Sequence, residues 1–88
     1  MEQSITIVNR LGLHARAAAK LVECASRFGS QITITRDAQS VDAKSIMSVM
    51  LLAAGQGTSL KLVIEGEDAP EAMAALTALI ADRFGEPD

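Results

Sequence analysis

Three times along this chain the hydrophobic residues change their spacing from every second position to every third or fourth, and only 88 residues hold all three changes. Ser4 to Val8 alternates, with Ile5 and Ile7 on one side, which is the pattern of a half-buried strand. Residues 15–28 then carry Ala18, Leu21, Val22, Ala25 and Phe28 on one helical face, with Arg16, Lys20, Glu23 and Arg27 off it, and Gly29 closes the run. Gln31 to Thr35 alternates around Ile32 and Ile34, Asp37-Ala38 suits a turn, and Ser40 to Ala43 returns as a short strand, so these two predict a hairpin. Ser45 to Leu52 reads as a short apolar helix closed by Gly55-Gln56-Gly57. Ser59 to Glu65 is a fourth strand, with Leu60, Leu62 and Ile64 on one face. Asp68-Ala69-Pro70-Glu71 opens a last helix with a capping residue, an early proline and a Glu three positions after the cap. Its buried stripe is Met73, Leu76, Leu79 and Ile80, and it ends near Phe84-Gly85. The order βαββαβα describes an α+β domain, and the polar side of each strand predicts that the helices cover one face of the sheet.

A chain of this length can bury one core, so residues 1–88 form a single domain. Hydrophobic residues make up 49% of it, enough for a core without disulfides, and the lone Cys24 has no internal partner. Mid-helix and without basic neighbours close enough to invoke reactivity, Cys24 reads as packing. Glu2, Gln3, Ser4 and Asn9 interrupt the stretch a signal peptide would need. The longest apolar region, Ile46 to Ala54, is broken by Ser48 and falls far short of about 20 residues, so no membrane insertion is expected, and the lone Cys24 fits a reducing cytoplasmic setting. Aromatics at 2% and a net charge of −3 argue against nucleic-acid binding. The charge is uneven: residues 10–44 carry a balance of +3 and residues 45–88 a balance of −5. Arg27 and Arg36 read as ordinary solvated charges, whereas the basic residues near His14 predict a small positive face suited to an anionic substrate or acidic partner.

His14 is the only histidine, and it stands at the loop-to-helix junction Gly12-Leu13-His14-Ala15-Arg16. A helix that begins at Ala15 leaves the amides of Ala15, Arg16 and Ala17 without helical acceptors, pointed at whatever sits before it, which suits a phosphate. The helix dipole and Arg16 favour a neutral ring with a lone pair free to act as nucleophile. Histidine is a poor cap compared with Ser, Thr, Asp or Asn, and a site that departs from local preference is where function is expected.

The string Asn9-Arg10-Leu11-Gly12-Leu13-His14-Ala15-Arg16, followed by an Ala-rich helix through Ala19-Lys20-Leu21-Val22, resembles the active-site signature of the HPr family, the histidine-containing phosphocarriers of the phosphoenolpyruvate-dependent phosphotransferase system. Lys44-Ser45-Ile46-Met47-Ser48-Val49-Met50 resembles the family's regulatory-serine region, so the likeness covers essentially the whole chain. It implies an open-faced β-sandwich, a four-stranded antiparallel sheet with three helices on one face. It also implies that His14 accepts a phosphoryl group on Nδ1 from enzyme I and passes it to a IIA component, with Arg16 stabilising the group in transit. The expected role is a stoichiometric carrier, not an enzyme with turnover of its own, and a monomer.

One departure is Ala17, where the family usually has proline; it supplies an extra N–H, and a change in loop rigidity or phosphoryl lifetime is expected. It also sustains an alternative, a noncatalytic HPr-like module that docks on partners without phosphoryl relay. Ser45 reads as a helix cap and as a regulatory phosphorylation site for an HPr kinase/phosphorylase, since a phosphate would sit well on a helix N-terminus and repel acidic partners. Met47, Met50 and Leu51, spaced three or four apart, together with Lys20, form a candidate docking surface, because a short helix cannot bury every apolar side. A single His and a single Cys make a metal site unexpected, and no cofactor is implied.

Overall fold

The computed structural model describes all 88 residues. The strands are β1 (Glu2–Thr6), β2 (Gln31–Arg36), β3 (Gln39–Asp42) and β4 (Ser59–Glu65). The helices are α1 (Ala15–Ser26), α2 (Ile46–Leu51) and α3 (Ala69–Ala81), followed by a 3-10 turn at Arg83–Gly85. The four strands form one sheet in the order β1-β4-β2-β3, and each neighbouring pair is antiparallel. This is the α+β arrangement expected from the strand and helix periods, in the open-faced form that the family resemblance implied.

Register follows from which side chains must be hidden. Ile32 lies opposite Ile64 and Ile34 opposite Leu62, so the apolar residues of β2 and β4 face the same side and are buried together. Gln31, Lys61 and Glu65 fall on the other face and are exposed. Against the apolar face lie Ala17, Ala18, Leu21, Cys24 and Ala25 of α1 and Ala72, Met73, Leu76 and Ile80 of α3. Cys24 is buried in this packing, as its neighbours implied.

Several boundaries depart from expectation for reasons of long-range bonding. Helix α1 stops at Ser26, short of Phe28, and the carbonyl of Phe28 accepts from Lys44 Nζ at 2.7 Å. Arg36, read as a solvated charge, instead donates from Nη1 to the carbonyls of Leu52 (2.7 Å) and Ala53 (3.0 Å) at the end of α2. Both cations answer carbonyls left over where a helix ends. Leu79, expected in the buried stripe of α3, is only half-buried.

Asp68 stands at the N-cap position of α3, yet its side chain makes no capping bond. Its carboxylate accepts from the amides of Gly29 (2.8 Å) and Ser30 (3.0 Å) and from the Ser30 hydroxyl. It thereby ties the turn before α3 to the turn after α1. Those bonds hold its carboxyl below the usual carboxylate range, the Ser30 hydroxyl and the Gly29 amide being the largest causes.

The last departure matters most for the site. Helix α3 ends at Ala81, and Arg83 and Phe84 both adopt left-handed backbone, with φ of 57° and 55°. That conformation costs about 1–2 kcal/mol per non-glycine residue. The Phe84 ring is fully buried in return, worth roughly 1.5–3 kcal/mol. The turn reverses the chain and sends residues 85–88 back over the start of α1.

Candidate functional site

The loop between β1 and α1 is built by its neighbours as much as by its own sequence. Asn9 is fully buried and donates from Nδ2 to the carbonyl of Gly12 at 2.8 Å, while the Gly12 amide donates back to the Asn9 carbonyl at 3.1 Å. Gly12 has φ of 67°, and a Cβ there would lie 2.6 Å from the carbonyl oxygen of Ala54. Only glycine suits both the conformation and the close approach. The Leu13 amide then donates to that same carbonyl at 2.8 Å and the Leu13 side chain is buried, which pins the loop to the turn after α2.

His14 follows with extended backbone, φ −72° and ψ 176°, and its carbonyl accepts the first helical bond, from Ala18 at 2.8 Å. The amides of Ala15, Arg16 and Ala17 have no acceptor within the chain, as a helix start at Ala15 requires. The ring makes no capping bond. Its Nε2 lies 2.5 Å from Oε2 of Glu86, and its Nδ1 has no partner in the chain. The ring is 30% exposed and the Glu86 side chain 12%.

Glu86 was not among the residues singled out from sequence. It lies 72 positions from His14 and carries no motif of its own. Its second oxygen, Oε1, accepts from Asn9 Nδ2 at 3.0 Å, and the Lys20 ammonium donates to the Phe84 carbonyl at 2.7 Å. The bonds from His14 and Asn9 hold the Glu86 carboxyl below its ordinary range, against the opposing effect of burial, with the charges of His14 and Lys20 adding to the lowering. The periodicity that placed the end of α3 near Phe84 gave no sign that the chain turns back.

Around the ring lies an open cleft of about 530 Å³, walled by residues of the 10–16 segment, including Arg10, His14 and Arg16, and by the tail Glu86 to Asp88. The Arg16 side chain makes no hydrogen bond or ion pair within the chain. Arg10 instead meets Asp88, its amide donating to the Asp88 carbonyl at 3.0 Å and its Nε lying 3.7 Å from Oδ2. Both side chains are exposed, so this pair contributes little. The small positive face expected around His14 thus also holds acidic groups: two carboxylates of the tail share it with two guanidiniums. No cluster of three or more His, Cys, Asp or Glu side chains gathers here or elsewhere.

A family model described as "PTS HPr component phosphorylation site" matches residues 1–82. The chain belongs to the HPr family. Among curated proteins it is 56% identical over 86 residues to the phosphocarrier protein HPr of Cupriavidus necator, covering 98% of this chain and 97% of that one. It is 58% identical over 83 residues to the phosphocarrier protein HPr of Pseudomonas aeruginosa, covering 93% and 92%. Among solved structures, HPr-C-His from Thermoanaerobacter tengcongensis superposes with a TM-score of 0.96 at 49% identity, covering 100% of this chain and 99% of that one. The fold and the phosphocarrier identity expected from the His14 and Ser45 segments therefore stand, and the protein is an HPr-type phosphocarrier of the phosphotransferase system.

The remaining residues of interest in this HPr-type chain fall as follows. Ser45 is the N-cap of α2, and its hydroxyl accepts from the Ser48 amide at 3.3 Å. Met47 and Leu51 are 75% and 69% exposed, with Met50 and Ile46 less so, so α2 presents an apolar outer side. The turn that follows α2 carries the Ala54 carbonyl that Leu13 binds, which joins the end of α2 to the His14 loop. No helix is long and apolar enough to cross a membrane.

Proposed function

We propose that His14 takes a phosphoryl group on Nδ1 from enzyme I and hands it to a IIA component. The observation that carries this reading is the ring itself: Nε2 is occupied by Glu86, Nδ1 is unpartnered, and three acceptorless amides lie at the start of the helix that follows it. Arg16, uncommitted and lining the same cleft, stabilises the equatorial oxygens as the group arrives and leaves. The amides of Ala15, Arg16 and Ala17 supply the remaining donors. Catalysis is then positioning and charge compensation, and the chain acts as a stoichiometric monomeric carrier in the cytosol.

Partners dock beside the ring on the exposed side of α2, through Met47, Met50 and Leu51, whose adaptable side chains suit several surfaces. Lys20 contributes at the edge through its exposed stem while its ammonium anchors Phe84. Ser45 is the regulatory position, modified by an HPr kinase/phosphorylase: as the N-cap of α2 its added phosphate would meet the helix N-terminus and place about −1.5 to −2 charge beside the docking side chains.

The test is incubation with phosphoenolpyruvate and enzyme I followed by mass spectrometry. An acid-labile gain of one phosphoryl group, absent in His14→Ala, is expected. A chain that acts only as a docking module would show no adduct and would bind its targets equally well as His14→Ala.

A further inference from the structure

The geometry points to Glu86 as the residue that fixes the proton on His14 Nε2 and so makes Nδ1 the atom that carries the phosphoryl group. This deepens the relay reading and rests on it. Glu86 is held from three directions. Its Oε2 meets the ring at 2.5 Å, its Oε1 accepts from the fully buried Asn9 at 3.0 Å, and the tail that delivers it is anchored by the buried Phe84 and by Lys20 on the Phe84 carbonyl. Two left-handed non-glycine residues, Arg83 and Phe84, lie in the turn that leads there. A surface carboxylate with no role would not need such support.

The chemistry follows from what a carboxylate can do. An ionised carboxylate only accepts hydrogen bonds, so the proton between it and the ring belongs to Nε2, and the Nδ1 lone pair is left for attack. On loading, that pair forms the N–P bond while the phosphorus bond in the phosphorylated donor protein breaks, its electron pair staying with the donor's leaving atom. The ring, still protonated on Nε2, becomes cationic, and Glu86 lies against that charge. On unloading, the acceptor's nucleophile forms the new bond to phosphorus and the N–P pair returns to Nδ1. The ring then departs as neutral imidazole because Nε2 has kept its proton. Without it the leaving group would be an imidazolate, a far poorer one. The same contact covers Nε2 and denies it to phosphorylation.

The other charges that face this ring are Arg10 and Asp88 of the cleft walls, which meet one another, and Arg16, with Lys20 behind the tail. The turn after α2 adds only Ala53, Ala54, Gly55 and Gln56, all uncharged. Glu86 is thus the carboxylate in contact with the imidazole, and its removal should be felt at the ring and not redistributed.

Two measurements on Glu86→Gln and Glu86→Ala test this. In ¹⁵N NMR of the unphosphorylated protein, the wild-type ring should show the Nε2–H tautomer alone once neutral, whereas Glu86→Ala should show a detectable Nδ1–H fraction. In transfer assays Glu86→Gln should slow loading and unloading by about 10- to 100-fold, the size of effect expected when the partner that orients a functional histidine is lost. The pH above which unloading fails should also move downward in Glu86→Gln. A phosphorylated wild type with unchanged rates, pH profile and tautomer in both variants would overturn the assignment while leaving the relay intact. A wild type that takes no phosphoryl group would defeat the relay and this inference together, and that outcome is read separately from the variants.

Discussion

Replacing Phe84 separates two accounts of how the chain ends. If α3 ran on through Phe84, as hydrophobic spacing alone suggests, glycine there would be worse than alanine by about 0.5–1 kcal/mol. The structure places Phe84 at φ 55°, in the left-handed region. Alanine at that φ keeps the strain of about 1–2 kcal/mol, whereas glycine removes it and loses about 0.5–1 kcal/mol through greater freedom of the unfolded chain. Glycine should therefore come out ahead by about 0–1.5 kcal/mol, with a midpoint of about 0.8 kcal/mol. Both variants lose the same fully buried ring, so Phe84→Ala should itself fall below wild type by about 3–5 kcal/mol. For a domain of this size, the glycine-alanine difference corresponds to a few degrees in Tm, since 1 kcal/mol shifts it by roughly 4–8 °C. Urea denaturation with unchanged m values reads both quantities as midpoints. Phe84→Gly less stable than Phe84→Ala would refute the left-handed turn, and with it the route by which Glu86 reaches His14.

Other consequences can be checked as directly. Asp68, held below the ordinary carboxylate range by Ser30 and Gly29, adds stability that is full above the unfolded carboxylate range and is lost as pH falls through its lowered folded value. Asp68→Asn should thus be less stable than wild type near neutrality and converge with it in acid; a constant gap between the two urea midpoints across pH would contradict this. Arg16→Ala should slow phosphoryl transfer to His14 by about 10²–10³, as loss of a preorganised donor does, with stability unchanged to within about 0.5 kcal/mol. Rapid-quench loading from phosphorylated enzyme I, alongside a thermal melt, measures both.

Features whose physics is local are legible in contiguous residues. Alternation in Gln31 to Thr35 and Ser59 to Glu65 specifies which face of each strand is hidden, and the same alternation sets their register once they pair. The placement of His14 before Ala15 follows from helix geometry over a few residues, and so do the three free amides. Ser45 behaves as the cap its residue type suggested.

Local context does not reveal the partner of a polar group that has an equally good local and distant choice. Asp68 has the sequence context of a cap, yet the amides of Gly29 and Ser30 lie close enough to take its carboxylate instead. Arg36 looks solvated in sequence, yet both it and Lys44 are drawn to helix-end carbonyls 16 residues away in each case. The hydrophobic periods that reveal helices and strands extend over neighbours a few positions apart and carry no sign of such bonds.

By itself the sequence determined the elements, their buried faces and a histidine aimed from a helix start, because each of these depends on neighbours one to four positions apart. Only the tertiary structure decided what stands behind that histidine. The Phe84 ring finds its place in a core that exists only once sheet and helices have closed, and the turn that lets it in carries Glu86 across 72 residues to Nε2. The position of the histidine is therefore written locally, and the carboxylate that lies against its ring is a product of packing.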